Sequence, residues 1–87
     1  MVRAHAFFSG TVQGVGFRYT ASGFARELHL TGWVKNLSDG RVEMVAEGPQ
    51  KAIEELLARL EKYFNIDAKH VEWLNYQEAF KGFSVTY

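Results

Sequence analysis

The 87-residue chain contains no cysteine. That absence removes a disulfide framework, a thiolate nucleophile and a thiolate metal site together. It also lacks an excess of charge of either sign, since 10 Lys and Arg are matched by 10 Asp and Glu. A phosphate polymer therefore gains no long-range attraction, which argues against a nucleic-acid partner but leaves room for a local cationic pocket. No apolar run approaches the roughly 20 residues of a membrane span, and Met1-Val2-Arg3-Ala4-His5-Ala6 alternates polar and apolar residues instead of building the apolar segment of an export signal. No membrane association and a cytoplasmic location are the expectations.

Hydrophobic residues make up 47% of the chain and aromatics 15%, enough for one core and one domain over residues 1–87. A chain this short buries only about 60–65% of its unfolded surface, so its elements must be regular and well packed. Val2, Ala4, Ala6, Phe8 and Val12 alternate with Arg3, His5, Ser9 and Thr11, the pattern of a half-buried strand. From Tyr19 the period changes. Ala21, Phe24, Ala25 and Leu28 form the stripe of a helix ending near His29. Gly23 inside that stretch weakens it by about 1 kcal/mol relative to alanine unless packing demands a small residue.

Thr31 to Asn36 and Arg41 to Glu47 read as short strands joined by Leu37-Ser38-Asp39-Gly40, whose Asp-Gly pair suits a tight hairpin. Pro49, the single proline, suits the first position of a second helix, which buries Ile53, Leu56, Leu57 and Leu60, with Phe64 extending the stripe. Lys69 to Gln77 and Phe83 to Tyr87 complete the chain as strands. The order βαββαβ with a short C-terminal strand predicts a ferredoxin-like α+β sandwich: an antiparallel sheet with both helices on one face. Right-handed crossovers put the third strand between the first and second, and the fourth outside the first. The ends of the first two strands then lie at one sheet edge, two strand spacings or roughly 9–10 Å apart.

What stands at that edge carries the chemistry. Gly10-Thr11-Val12-Gln13-Gly14-Val15-Gly16-Phe17-Arg18 runs from a strand end through a glycine-spaced turn to a helix start. Gly14 and Gly16 let the backbone curl, and the unpaired N–H groups of the helix start point into the curl, forming a cradle for a phosphate-sized anion. Arg18 adds a planar fork of donors. A cation at the positive end of a helix dipole is unfavourable unless an anion compensates it. The loop lacks the Gly-Lys-Ser/Thr of a nucleotide-binding P-loop, so ATP and magnesium are not implied. Asn36 lies across the gap, where its amide can accept a proton of one water and donate to a substrate oxygen.

The nonapeptide resembles the first motif of the acylphosphatases, Gly-x-Val-Gln-Gly-Val-x-Phe-Arg. Gly32-Trp33-Val34-Lys35-Asn36 with Gly40, Val42 and Gly48 resembles the second, and length, element order and Phe83-Ser84-Val85-Thr86-Tyr87 resemble a stand-alone, microbial-type member. The resemblance implies hydrolysis of acyl phosphates to carboxylate and inorganic phosphate, with no metal or organic cofactor. It implies that Arg18 and the main-chain N–H groups of Gln13, Gly14, Val15, Gly16, Phe17 and Arg18 hold the phosphoryl group while Asn36 orients the attacking water. A loose, metaphosphate-like transition state asks chiefly for positioning and charge stabilisation, so direct displacement without a phosphoenzyme is expected. Inorganic phosphate is expected as product and inhibitor, and the protein as a monomer.

The departures from the family pattern are local. Leu37 stands where several acylphosphatases carry threonine, which leaves the orienting partner of Asn36 open. Gly16 replaces the cysteine of some animal members, and Phe64-Asn65-Ile66-Asp67 replaces a Gly-Pro turn in a remote connection. His5, His29 and His70 have no metal-site spacing and suit strand-face or helix-end positions. Phe7, Trp33 and Tyr76 could line a sheet face as in an RNA-recognition module, but the third strand lacks that module's basic-aromatic consensus. The competing reading is a non-catalytic ferredoxin-like module that binds a phosphorylated metabolite.

Overall fold

The computed structural model describes residues 1–87. Its elements are β1 (Val2–Thr11), α1 (Phe17–Glu27), β2 (Thr31–Asn36), β3 (Val42–Gly48), α2 (Gln50–Tyr63), β4 (Asn65–Asn75) and β5 (Phe83–Thr86). The five strands form one sheet in the order β4-β1-β3-β2-β5. β3 lies between β1 and β2, and β4 flanks β1, as the crossover rule predicts. Alternation in β1 buries Ala4, Ala6 and Phe8 beneath the helices. There they meet Ala21 and Ala25 of α1 and Ile53, Leu56, Leu57 and Leu60 of α2 in one core cluster. An aromatic chain threads that core, with Phe17 5.2 Å from Phe8 and 4.9 Å from Phe64. Each such ring, fully buried, contributes about 1.5–3 kcal/mol.

The sheet is mixed, which corrects the expectation of an antiparallel one. β5 pairs parallel to β2, with Gly32 opposite Phe83 and Lys35 opposite Thr86. The cause lies in residues 76–82, which carry the chain from the β4 edge across the sheet end to the far edge. Glu47, at the end of β3, anchors that crossing. Its carboxylate, with a side-chain exposure of 0%, accepts hydrogen bonds from the N–H groups of Gln77 (2.8 Å) and Ala79 (3.0 Å) and pairs with Arg3 Nε at 3.0 Å.

Smaller differences concern boundaries. α1 ends at Glu27, and His29, at φ 57°, turns the chain in the left-handed conformation that closes many helices. Pro49 sits one position before α2, extended, with its carbonyl accepting from the N–H of Ala52 and Ile53. β4 begins at Asn65 and stops at Asn75, so Phe64-Asn65-Ile66-Asp67 is largely strand. The register with β1 shifts there, leaving Asp67 without a partner. As an edge strand exposed at most positions, β4 carries little of the alternation that marks β1.

Candidate active site

The segment between β1 and α1 curls through two left-handed glycines, Gly14 at φ 75° and Gly16 at φ 79°. A Cβ at either position would meet no atom within 4 Å. The requirement for glycine is therefore conformational, since a β-carbon is disfavoured at positive φ. Gly16 is also the residue before α1, with no side chain capping the helix and no acidic residue in the first turn. The first N–H groups of the helix are thus left to whatever lies in the curl, and the positive end of the helix dipole faces it.

That curl forms one wall of a cavity of about 120 Å³ lined by Val12, Gly14, Gly16, Phe17, Arg18, Tyr19 and Asn36. The two motifs, far apart in sequence, share this cavity. Arg18 enters it from the first turn of α1. Its Nη1 donates to the Thr86 carbonyl at 3.2 Å, and its guanidinium carbon lies 4.6 Å from the centroid of the Tyr87 ring. The Tyr87 hydroxyl in turn meets the Tyr19 hydroxyl at 2.6 Å. That hydrogen bond raises the Tyr87 phenol above the usual tyrosine value. Arg18 is held by a carbonyl and a ring, and its charge is not cancelled by a carboxylate.

Asn36 ends β2 opposite Val42 of β3. Its Oδ1 is buried and accepts no hydrogen bond from the protein. Leaving a buried acceptor unpaired costs about 1–3 kcal/mol, and such groups concentrate at sites with another use for them. The main chain around Asn36 is held by the pairing of β2 with β3 and by Gln13, whose Nε2 donates to the carbonyls of Leu37 and Arg41, each at 2.8 Å. Gln13 thus ties the glycine loop to the β2–β3 hairpin beside Asn36, where Leu37 brings no hydroxyl.

Of the residues singled out in the sequence, Gly14, Gly16, Phe17, Arg18 and Asn36 share the cavity wall. The Gln13 side chain is engaged with the hairpin instead. Val15 points outward, 44% exposed, and the Phe17 ring lies in the core. These three can serve an anion only through the main chain. Sequence reasoning missed Thr86, Tyr87 and Tyr19 around Arg18. Only the aromatic character of Tyr19 and Tyr87 hinted at them, because a carbonyl acceptor such as Thr86 has no side-chain signature. His5 takes a strand-face position, 2.6 Å from Glu43 Oε2, and His29 a helix-end one.

A sequence profile for Acylphosphatase matches residues 4–85. The chain belongs to the acylphosphatase family. An acylphosphatase from Roseiflexus sp. (strain RS-1) is 42% identical over 88 residues, spanning 98% of this chain and 95% of the relative. The crystal structure of acylphosphatase from Bacillus subtilis is similar with a TM-score of 0.94 at 36% identity, covering 100% of both chains. The structure of an acylphosphatase from Coxiella burnetii gives 0.89 at 38% identity over 98% of this chain and 92% of that one. Both of these acylphosphatase structures share the ferredoxin-like fold seen here. No helix of the protein is long and apolar enough to cross a membrane.

Proposed function

We propose that this protein hydrolyses the carboxyl–phosphate bond of acyl phosphates, with the loop from Gln13 to Arg18 holding the phosphoryl group and Asn36 holding the water. The observation that carries the reading is the shared cavity. It brings an arginine without a carboxylate partner, uncapped helix N–H groups and a buried, unpartnered amide oxygen to one place. In the step, the water oxygen attacks phosphorus and the bond from phosphorus to the acyl oxygen breaks. The electron pair leaves with the carboxylate, and the water proton passes to the phosphate product or to solvent. A carboxylate leaving group needs no acid, and the fixed donors of Arg18 and the loop stabilise the charge spread over the equatorial oxygens.

On this reading residues 1–87 act as a single monomeric acylphosphatase domain in the cytoplasm, without cofactor, and inorganic phosphate inhibits competitively at about millimolar levels. Hydrolysis of benzoyl phosphate by purified protein in the presence of a metal chelator tests it. Turnover supports the enzyme. Saturable phosphate binding without turnover would establish a phosphate-binding module in its place.

A further inference from the structure

Two recesses adjoin the proposed phosphate cradle, one on each flank. A groove of about 610 Å³ follows β2 and β5 and includes Trp33, Lys35, Phe80 and Lys81 in its walls. A smaller cleft, about 330 Å³, lies on the other flank and is lined by Thr11, Val15, Tyr63, Phe64 and Asn65. Strand order separates the two. β4, which begins at Asn65, and β2, which ends at Asn36, lie on opposite sides of β1, whose end leads into the glycine loop.

In-line displacement puts the attacking water and the leaving oxygen on opposite sides of phosphorus. With the water at Asn36, the acyl oxygen points away from β2, to the side of β1 on which β4 begins. We propose that the cleft formed by Val15, Tyr63 and Phe64 receives the acyl group of the substrate and favours uncharged, flat or branched acyl groups. The inference rests on the acylphosphatase reading and on Asn36 as the water-holding residue.

The cleft is built for such an occupant. Val15 stands between Gly14 and Gly16, which line the phosphate cavity, so the cleft borders the outward side of the same loop. Val15 and Tyr63 are 44% and 67% exposed. Isolated exposed apolar side chains are ordinary, but these two converge with Phe64 on one recess beside a polar site. The Tyr63 ring is braced edge-on by Phe24 at 5.9 Å and lies 5.2 Å from Phe64, which itself stacks 4.9 Å from Phe17 at the start of α1. A wall already held in place loses little freedom when a ligand settles against it. No Lys, Arg, His, Asp or Glu lines the cleft. A carboxylate-bearing acyl chain would lose hydration there without gaining a counter-charge. The larger groove has two lysines but lies on the flank of the attacking water.

The test compares steady-state hydrolysis of benzoyl phosphate and acetyl phosphate by the wild-type protein and by Tyr63→Ala, Tyr63→Phe and Trp33→Ala. Tyr63→Ala is expected to raise the ratio of the benzoyl phosphate KM to the acetyl phosphate KM by roughly threefold to tenfold, the effect of one aromatic contact. The inhibition constant for inorganic phosphate should not rise with it. Tyr63→Phe, which keeps the ring, should retain the wild-type ratio, and so should Trp33→Ala in the larger groove. An unchanged ratio in Tyr63→Ala, or a selective loss in Trp33→Ala, overturns the acyl cleft. A wild-type protein that hydrolyses neither substrate overturns the acylphosphatase reading itself, a distinct result.

Discussion

The guanidinium of Arg18 lies against the ring of Tyr87, 4.6 Å from its centroid, while its Nη1 reaches the neighbouring Thr86 carbonyl at 3.2 Å. One face of the arginine is thereby occupied, and the residue also lines the cavity. A fork fixed in this way loses less freedom on meeting a phosphoryl group than a free arginine would. α1 grips β5 a second time through Arg26, whose Nε and Nη2 both donate to the Phe83 carbonyl. The last strand therefore sets the position of the cradle's single full positive charge.

Arg18→Ala removes that charge. Turnover is expected to fall by about 10²–10³, the scale of losing a preorganised transition-state donor. Arg18→Lys should recover little of it, because an ammonium cannot span two oxygens or stack on Tyr87. Competitive inhibition by inorganic phosphate should weaken in parallel. Benzoyl phosphate kinetics on the three proteins decide this: near-normal turnover in the folded alanine variant would remove Arg18 from the site.

Glu47 predicts how the fold responds to acid. Burial by itself pushes its carboxyl up, but the N–H groups of Ala79 and Gln77 and the Arg3 guanidinium outweigh burial and hold it below the usual glutamate value. A carboxyl depressed in the folded state adds stability that is present above the unfolded pKa of about 4.3 and is lost as pH falls through the lower folded value. Glu47→Gln, which keeps one acceptor but no charge, is expected to lower stability at pH 7 by about 1–3 kcal/mol. Urea unfolding at pH 7 and at pH 3 measures both proteins. The gap between them should shrink at the lower pH, and a gap independent of pH would contradict the ion-paired role.

Gly23 offers a prediction of opposite sign. It lies within α1, and a Cβ there would meet no atom within 4 Å. Packing does not require a small residue, so the helix bears the full propensity penalty. Gly23→Ala should stabilise the protein by about 0.4–1 kcal/mol, raising Tm by a few degrees for a domain of this size. Thermal unfolding checks it, and a lowered Tm would mean that the exposed helix face has a contact requirement absent from this structure.

The parts of the fold that were legible from sequence are those fixed by short-range rules. The alternation in β1, the leucine stripe of α2 and the left-handed glycines of the loop each follow from local geometry, and right-handed crossovers then bring Arg18 and Asn36 to one sheet edge. The direction and partner of β5 were not legible. They depend on main-chain N–H groups of Gln77 and Ala79 meeting a carboxylate on β3, and a main-chain donor has the same appearance in every residue. The only trace was Glu47 itself, a charge within the buried run Met44 to Gly48. The tether of the hairpin beside Asn36 was hidden for a similar reason. Gln13 was visible in the first motif, but its targets are the carbonyls of Leu37 and Arg41 across the hairpin.

Asn36 separates binding from chemistry. Its buried Oδ1 has no partner within the protein, so its proposed task is to accept a hydrogen bond from the attacking water. Asn36→Ala should nearly abolish turnover while inorganic phosphate still binds, because Arg18 and the loop N–H groups remain. Asn36→Asp keeps the size and an accepting oxygen but adds a negative charge beside the phosphoryl group. Two like charges about 4 Å apart repel by about 4 kcal/mol at an effective dielectric constant near 20, enough to offset any gain in basicity. The aspartate variant should therefore also be severely impaired, and should bind phosphate more weakly than the alanine variant. Phosphate titration and steady-state hydrolysis on both variants distinguish the outcomes. A fully active alanine variant refutes water positioning by Asn36, whereas an active aspartate variant would show that a general base serves the reaction at this position.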